Sequence, residues 1–203
     1  FSTILFQPLF AARQGAGREP VLRNGLATLV LVCGLPAVFA AVNSTQLVPL
    51  VFGARWLPAA PAVALLALSG LVRALGGVHG ALLSVSGRNG VLAMVSTASA
   101  IAGIIAVAAA ARHGVVWCAA ALALKNLAVT SVLAATTWRD MPGLARAYLL
   151  DVAVPLGLMA FGAEAGRLLA AAALPAGAPL PVAAGLALSL LLAACCVLPC
   201  FAQ

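Results

Sequence analysis

The sequence predicts an all-α, polytopic membrane protein with about six full transmembrane helices plus one truncated helix. Three observations carry this. Hydrophobic residues make up 65% of the 203 residues and charged residues only 7%, with a mean hydropathy of +1.17. A soluble domain carries roughly a quarter charged residues, and a soluble core of this size could not hide so much apolar surface, so lipid is the solvent. The apolar residues fall into runs near the ~20 residues that cross a bilayer, separated by short turns rich in Gly, Pro and Arg. No stretch alternates as a barrel strand does, so helices must satisfy the backbone in lipid.

In order, Phe1–Ala11 reads as the tail of a cut helix, because the chain opens in an apolar stretch with no Met and no charged leader. That start does not read as a signal peptide, and the chain is expected to be a fragment of a longer protein. Arg13–Asn24 is a polar loop carrying Arg13, Arg18, Glu19 and Arg23. Gly25 to about Val42 is a span interrupted by Gly34 and Pro36. It is expected to continue past Asn43-Ser44-Thr45, as a wet or interfacial end, up to Phe52. Gly53 breaks this run, Arg55 and Trp56 follow at once, and Pro58 and Pro61 open the next. This is a membrane helix reaching the interface, a tight turn, and a second helix starting back. Gly supplies the backbone freedom, Trp and Arg suit the headgroup level, and Pro fits a helix start.

Pro61–Ser86 is the next span, and Gly87-Arg88-Asn89-Gly90 a two-glycine turn. Val91–Ala111 and Val115–Thr137 are spans joined by Arg112-His113-Gly114. Trp138–Ala147 is the second longer polar loop. Tyr148–Ala173 and Leu180–Phe201 are the last spans, joined through Pro175 and Pro179.

The loops alternate between two sets. One holds Arg13, Arg18, Arg23, Arg88, Arg139 and Arg146; the other holds Arg55 and Arg112. The excess of positive charge puts the first set, and with it the C-terminus, in the cytoplasm. The formal net charge is +7. Its basic residues are scattered between apolar runs, not clustered on one face, so soluble-enzyme and nucleic-acid readings fall away.

Basic residues inside spans are the candidate functional groups. Arg73 and Lys125 each lie about halfway along a predicted helix. A charge at the bilayer centre costs from ~2.5 to over 10 kcal/mol, so both are expected to face protein or a watery cavity. There they would line a cationic path for an anionic group. The alternative is that each snorkels or pairs with a carboxylate elsewhere in the protein. Arg167 follows Glu164 by three residues, a spacing that pairs them on one helix face in a structural role. Asp151 lies near a helix end. Gly76 with Gly80, and Gly162 with Gly166, have the spacing that lets membrane helices approach closely, a spacing an Ala-rich chain also produces by chance.

Catalytic and metal chemistry find little support. Cys33, Cys118, Cys195, Cys196 and Cys200 sit in apolar runs without zinc-ligand spacing. His79 is a lone histidine in a helix, and His113 lies in a turn. No nucleophile elbow and no phosphate-binding glycine loop occurs. The expectation is a non-enzyme without cofactor or metal.

ILFQPLFAARQ at 4–14, LVPLVFGARWLPAAP at 47–61 and LLSVSGR at 82–88 come in this order with helix-sized gaps. Together they resemble the C-terminal half of the polysaccharide and O-antigen flippases. This is the Wzx-like branch of the MOP superfamily, which also holds the MATE drug exporters and the lipid II flippases. Pro8, Gly53, Arg55, Trp56, Pro58, Pro61, Gly87 and Arg88 carry the resemblance, and the Gly-x-Trp turn is its most specific part. Ala12 stands where the family often has Ser.

The resemblance implies export without chemical conversion: an undecaprenyl-diphosphate-linked oligosaccharide moved across the bacterial inner membrane for polysaccharide or lipopolysaccharide biosynthesis. Two bundles would alternate around a central cavity. Residues 1–137 would be one bundle, incomplete at its start, and 148–203 two accessory helices. The partners implied are the lipid-linked sugar, the bilayer, the N-terminal half of the same protein and the polysaccharide polymerase machinery. Half a transporter cannot enclose a site, so no transport is expected from this chain alone. Arg73 and Lys125 would hold the diphosphate through charge-assisted contacts. Two other classes stay open. A MATE-like exporter of organic cations would want a mid-membrane carboxylate, and neither Asp151 nor Glu164 is central. A structural membrane subunit would need no buried cations.

Overall fold

The computed structural model describes residues 25–26, 28–140, 152–173 and 187. These residues are helical almost throughout, and no strand occurs among them. A wide π turn at Val30–Gly34 leads into α1 (Leu35–Val42), followed by α2 (Ser44–Phe52) and a 3-10 segment at Ala54–Ala59. Then come α3 (Ala60–Val85), α4 (Asn89–Ala110), a 3-10 turn at Ala111–His113, α5 (Val115–Asp140) and α6 (Val154–Ala173).

Three helical stretches, Ala54–Val85, Asn89–His113 and Val115–Arg139, are long and apolar enough to cross a membrane. A fourth is added if α1 and α2 count as one span. The expected cut helix, the loop at 13–24 and the last span at 180–201 lie outside the described residues, apart from residue 187. Much of the second polar loop, at 141–147, lies outside them too.

Backbone chemistry sets the breaks. Pro36 has no N–H to return to the preceding turn, and the helix widens into the π turn just before it. Gly53 (φ +92°) ends α2 and opens the 3-10 segment, and Pro58 and Pro61 flank the start of α3. At the other end of α3, Gly87 has φ +79°. Its N–H bonds to Ser84 O at 3.1 Å, and the Arg88 N–H bonds to Leu83 O at 2.9 Å. This is the Schellman arrangement, with glycine in the left-handed position.

Two expected boundaries change. The run up to Phe52 is not one helix with a wet end. The axis bends by 87° between Val42 and Ser44, and Asn43 and Ser44 are buried. The backbone N–H and the side-chain amide of Asn43 both donate to Phe39 O, each at 3.0 Å. Its carbonyl accepts from Gln46 and Leu47 at 2.9 Å. The polar group therefore serves the bend, not water. The span from Val115 also runs past Thr137 to Asp140. Arg139 in that last turn complements the carbonyl end of the helix.

The core joins α1, α3 and α6. Leu26, Leu29, Val30 and Val38 pack with Leu71, Leu75 and Val78 of α3 and with Val152 and Met159. Gly34 makes the approach of α6 possible, since a Cβ there would meet Leu156 Cδ2 at 2.9 Å.

Candidate functional site

The pairing of α3 with α5 positions the candidate cations. Ser69, Gly76 and His79 recur on one face of α3, as do Asn126, Thr130 and Thr137 on α5. The two faces meet. Asn126 Nδ2 donates to Ser69 Oγ at 2.7 Å, and Thr130 Oγ1 donates to Val72 O at 3.0 Å. Thr130 stands over Gly76, where a Cβ would come within 2.7 Å of its Oγ1. The fully buried His79 places Nδ1 at 2.8 Å from Thr137 Oγ1, and its ring meets the edge of Trp138 at 6.5 Å. Partner numbers rise together, so α3 and α5 run parallel, as alternate spans must. Each contact satisfies a polar group that lipid would leave bare.

α4 returns between these helices in sequence and packs beside α5. Between α4 and α5 runs an open groove of about 510 Å³. Its walls are Val95, Ala98, Ala102 and Ala106 on one side and Ala121, Leu124, Ala128, Val129 and Val132 on the other. Ser99 and Lys125 are its polar members. The Lys125 stem lies against Gly103, where a Cβ would meet Lys125 Cδ at 3.3 Å and Nζ at 3.8 Å. Ten residues after the start of α5, Lys125 stands about 15 Å along the axis, half the thickness of the hydrocarbon layer.

Arg73 is exposed on α3 and does not line this groove. The Ser69–Asn126 and Val72–Thr130 contacts put it about 8 Å from Lys125 along the parallel axes. The two cations share neither a pocket nor a level: Arg73 stands about one and a half helical turns further along the bundle.

Of the residues that carry the family resemblance, Gly53, Arg55, Trp56 and Pro58 form the break before α3, with Arg55, Trp56 and Pro58 exposed. Gly87 and Arg88 form the turn after it. Pro8 and Asp151 lie outside the described residues, as does the side chain of Arg167, so the expected Glu164–Arg167 pair does too. Gly76 mediates the close approach that its spacing suggests, whereas Gly80 faces α4, where a Cβ would meet Leu92 Cδ1 at 3.3 Å. Among the described residues no three His, Cys, Asp or Glu side chains gather as a metal ion would need.

The α3–α5 seam is what sequence reasoning missed. Its signal is present in the helical spacing of Ser69, Gly76 and His79 and of Asn126, Thr130 and Thr137 within two apolar runs.

Compared with known proteins, the chain matches no family model, no curated protein and no solved structure.

Proposed function

We propose that this chain is part of an inner-membrane transporter that moves an undecaprenyl-diphosphate-linked oligosaccharide from the cytoplasmic to the outer leaflet by alternating access, with its C-terminus in the cytoplasm. The observation that carries this reading is Lys125, a cation at mid-depth on a groove whose other walls are apolar apart from Ser99. Such a groove suits an amphiphile whose anionic diphosphate meets the ammonium and whose hydrocarbon lies along the alanine and valine walls. Arg73, exposed on α3 outside the groove and about 8 Å further along the axis, would be a second cation on the headgroup's route. The resemblance of 47–61 and 82–88 to the polysaccharide flippases supports the same class.

The test is complementation in a strain that lacks its own flippase, using the full-length gene whose product contains this chain. Wild type is expected to restore surface polysaccharide. Lys125→Ala and Arg73→Ala lose it while the protein stays in the membrane and lipid-linked precursor accumulates. Normal export by both variants would remove the two cations from the mechanism. Failure of wild type to restore export across strains of different sugar chemistry would overturn the flippase reading itself.

A further inference from the structure

The chain from Ser44 to Ala59 is a lateral element, and its surroundings identify what it touches. The helical turns from Thr28 to Val42 rise about 22 Å, most of a hydrocarbon layer of roughly 30 Å. Continuing straight to Phe52 would carry the axis about 15 Å further. The 87° bend at Asn43 turns α2 sideways instead. The bend is built in: Asn43 is fully buried and caps Phe39 O with its own amide. Ser44 and Val48 are buried, while Leu50, Val51 and Phe52 are 56%, 66% and 62% exposed. Three successive residues of a helix point about 100° apart, so the last turn of α2 is apolar around most of its circumference. Water does not suit such a turn. Thr45, Arg55 and Trp56 are also exposed, and the segment leads directly into the start of α3.

We infer that α2 and the following 3-10 segment lie in the plane of the membrane at the boundary between headgroups and acyl chains, with Leu50, Val51 and Phe52 in lipid and with Trp56 and Arg55 at the phosphate level. The partner is the bilayer itself. An indole belongs at that boundary, a guanidinium reaches lipid phosphate, and an in-plane helix buries its apolar side chains shallowly. The assignment is independent of the transported substrate and of which leaflet faces the cytoplasm.

Depth-dependent quenching tests it in the 203-residue chain reconstituted in phosphatidylethanolamine–phosphatidylglycerol vesicles. Trp117→Phe and Trp138→Phe leave Trp56 as the one emitter. A second variant places the emitter at Phe52→Trp, with Trp56→Phe in the same background. Lipids brominated near the headgroup end of their chains are expected to quench both emitters more strongly than lipids brominated near the methyl end. Stronger quenching of Phe52→Trp by the deep bromines would show a segment plunging into the bilayer and overturn the inference. Loss of quenching by either lipid, with acrylamide excluded, would show that protein covers the segment and overturn it equally. If the multiple variants do not reconstitute, the difference in quenching between the wild-type chain and Trp56→Phe alone reads the same depth.

Discussion

Gly103 of α4 lies directly against the side chain of Lys125 of α5, close enough that a Cβ at Gly103 would stand 3.3 Å from Lys125 Cδ. The lysine therefore owes its position on the groove to the absence of a side chain opposite it. Gly103→Ala asks a flexible stem to give by a few tenths of an ångström and is expected to leave membrane level and export unchanged. Gly103→Leu fills the space the stem occupies and, on the transporter reading proposed above, is expected to reduce export to the level expected of Lys125→Ala, with the protein still in the membrane. Surface polysaccharide in the complemented strain, set against membrane protein level, reads both.

Asn126 and Ser69 form a cross-helix hydrogen bond of 2.7 Å. Inside a membrane such bonds contribute about 0.6 kcal/mol on average and up to roughly 1.7. Asn126→Ala and Ser69→Ala are each expected to lower the temperature at which the detergent-solubilised chain loses its monodisperse peak. The double variant should cost less than the sum of the singles, because the second truncation removes a partner already lost. Strict additivity in that assay would show that the two side chains do not interact.

Gly76 has less room than Gly103. A Cβ there would meet Thr130 Oγ1 at 2.7 Å, and that hydroxyl is committed to Val72 O on a β-branched side chain with little rotamer freedom. Gly76→Ala should therefore force α3 and α5 apart at a cost of about 1–3 kcal/mol. Adding Thr130→Ala opens the space again and should recover part of the lost thermal stability. If Gly76→Ala alone proves neutral, the close approach of these two helices is not what holds the seam.

Helices long and apolar enough to cross a membrane, and the turn chemistry between them, were legible in the sequence because each rests on a local rule. Lipid tolerates only long apolar runs, and the positive φ angles at Gly53, Gly87 and Gly114 fall at three of the breaks the sequence marks. The bend at Asn43 was not legible. A polar triplet at the end of an apolar run suits water as well as it suits a buried kink, and only the Asn43–Phe39 contact distinguishes them. The seam was hidden for a related reason. Ser69, Asn126 and Thr137 stand singly in apolar runs and His79 reads as a lone histidine, and spacing along one helix does not name the helix opposite. Lys125 and Arg73 stood out because a charge halfway along an apolar helix is costly unless it avoids lipid. Their separation into a groove wall and an exposed face depends on how α3, α4 and α5 pack.

Gly87 and Gly90 flank the same turn and are expected to respond in opposite directions. Gly87 sits at φ +79° in the cap of α3, where L side chains are strained whatever the space around them. Gly87→Ala should cost about 1–2 kcal/mol and weaken the hydrogen bonds from residues 87 and 88 back to Ser84 and Leu83. Gly90 lies in the first turn of α4 with ordinary helical φ and nothing within 4 Å of a Cβ. Gly90→Ala removes conformational freedom from the unfolded chain without creating a clash, for an expected gain of about 0.4–1 kcal/mol. Thermal unfolding of the two single variants in the same detergent, ranked against wild type, decides the matter. A Gly87→Ala chain as stable as wild type would mean that the turn between α3 and α4 does not hold the left-handed conformation that closes α3.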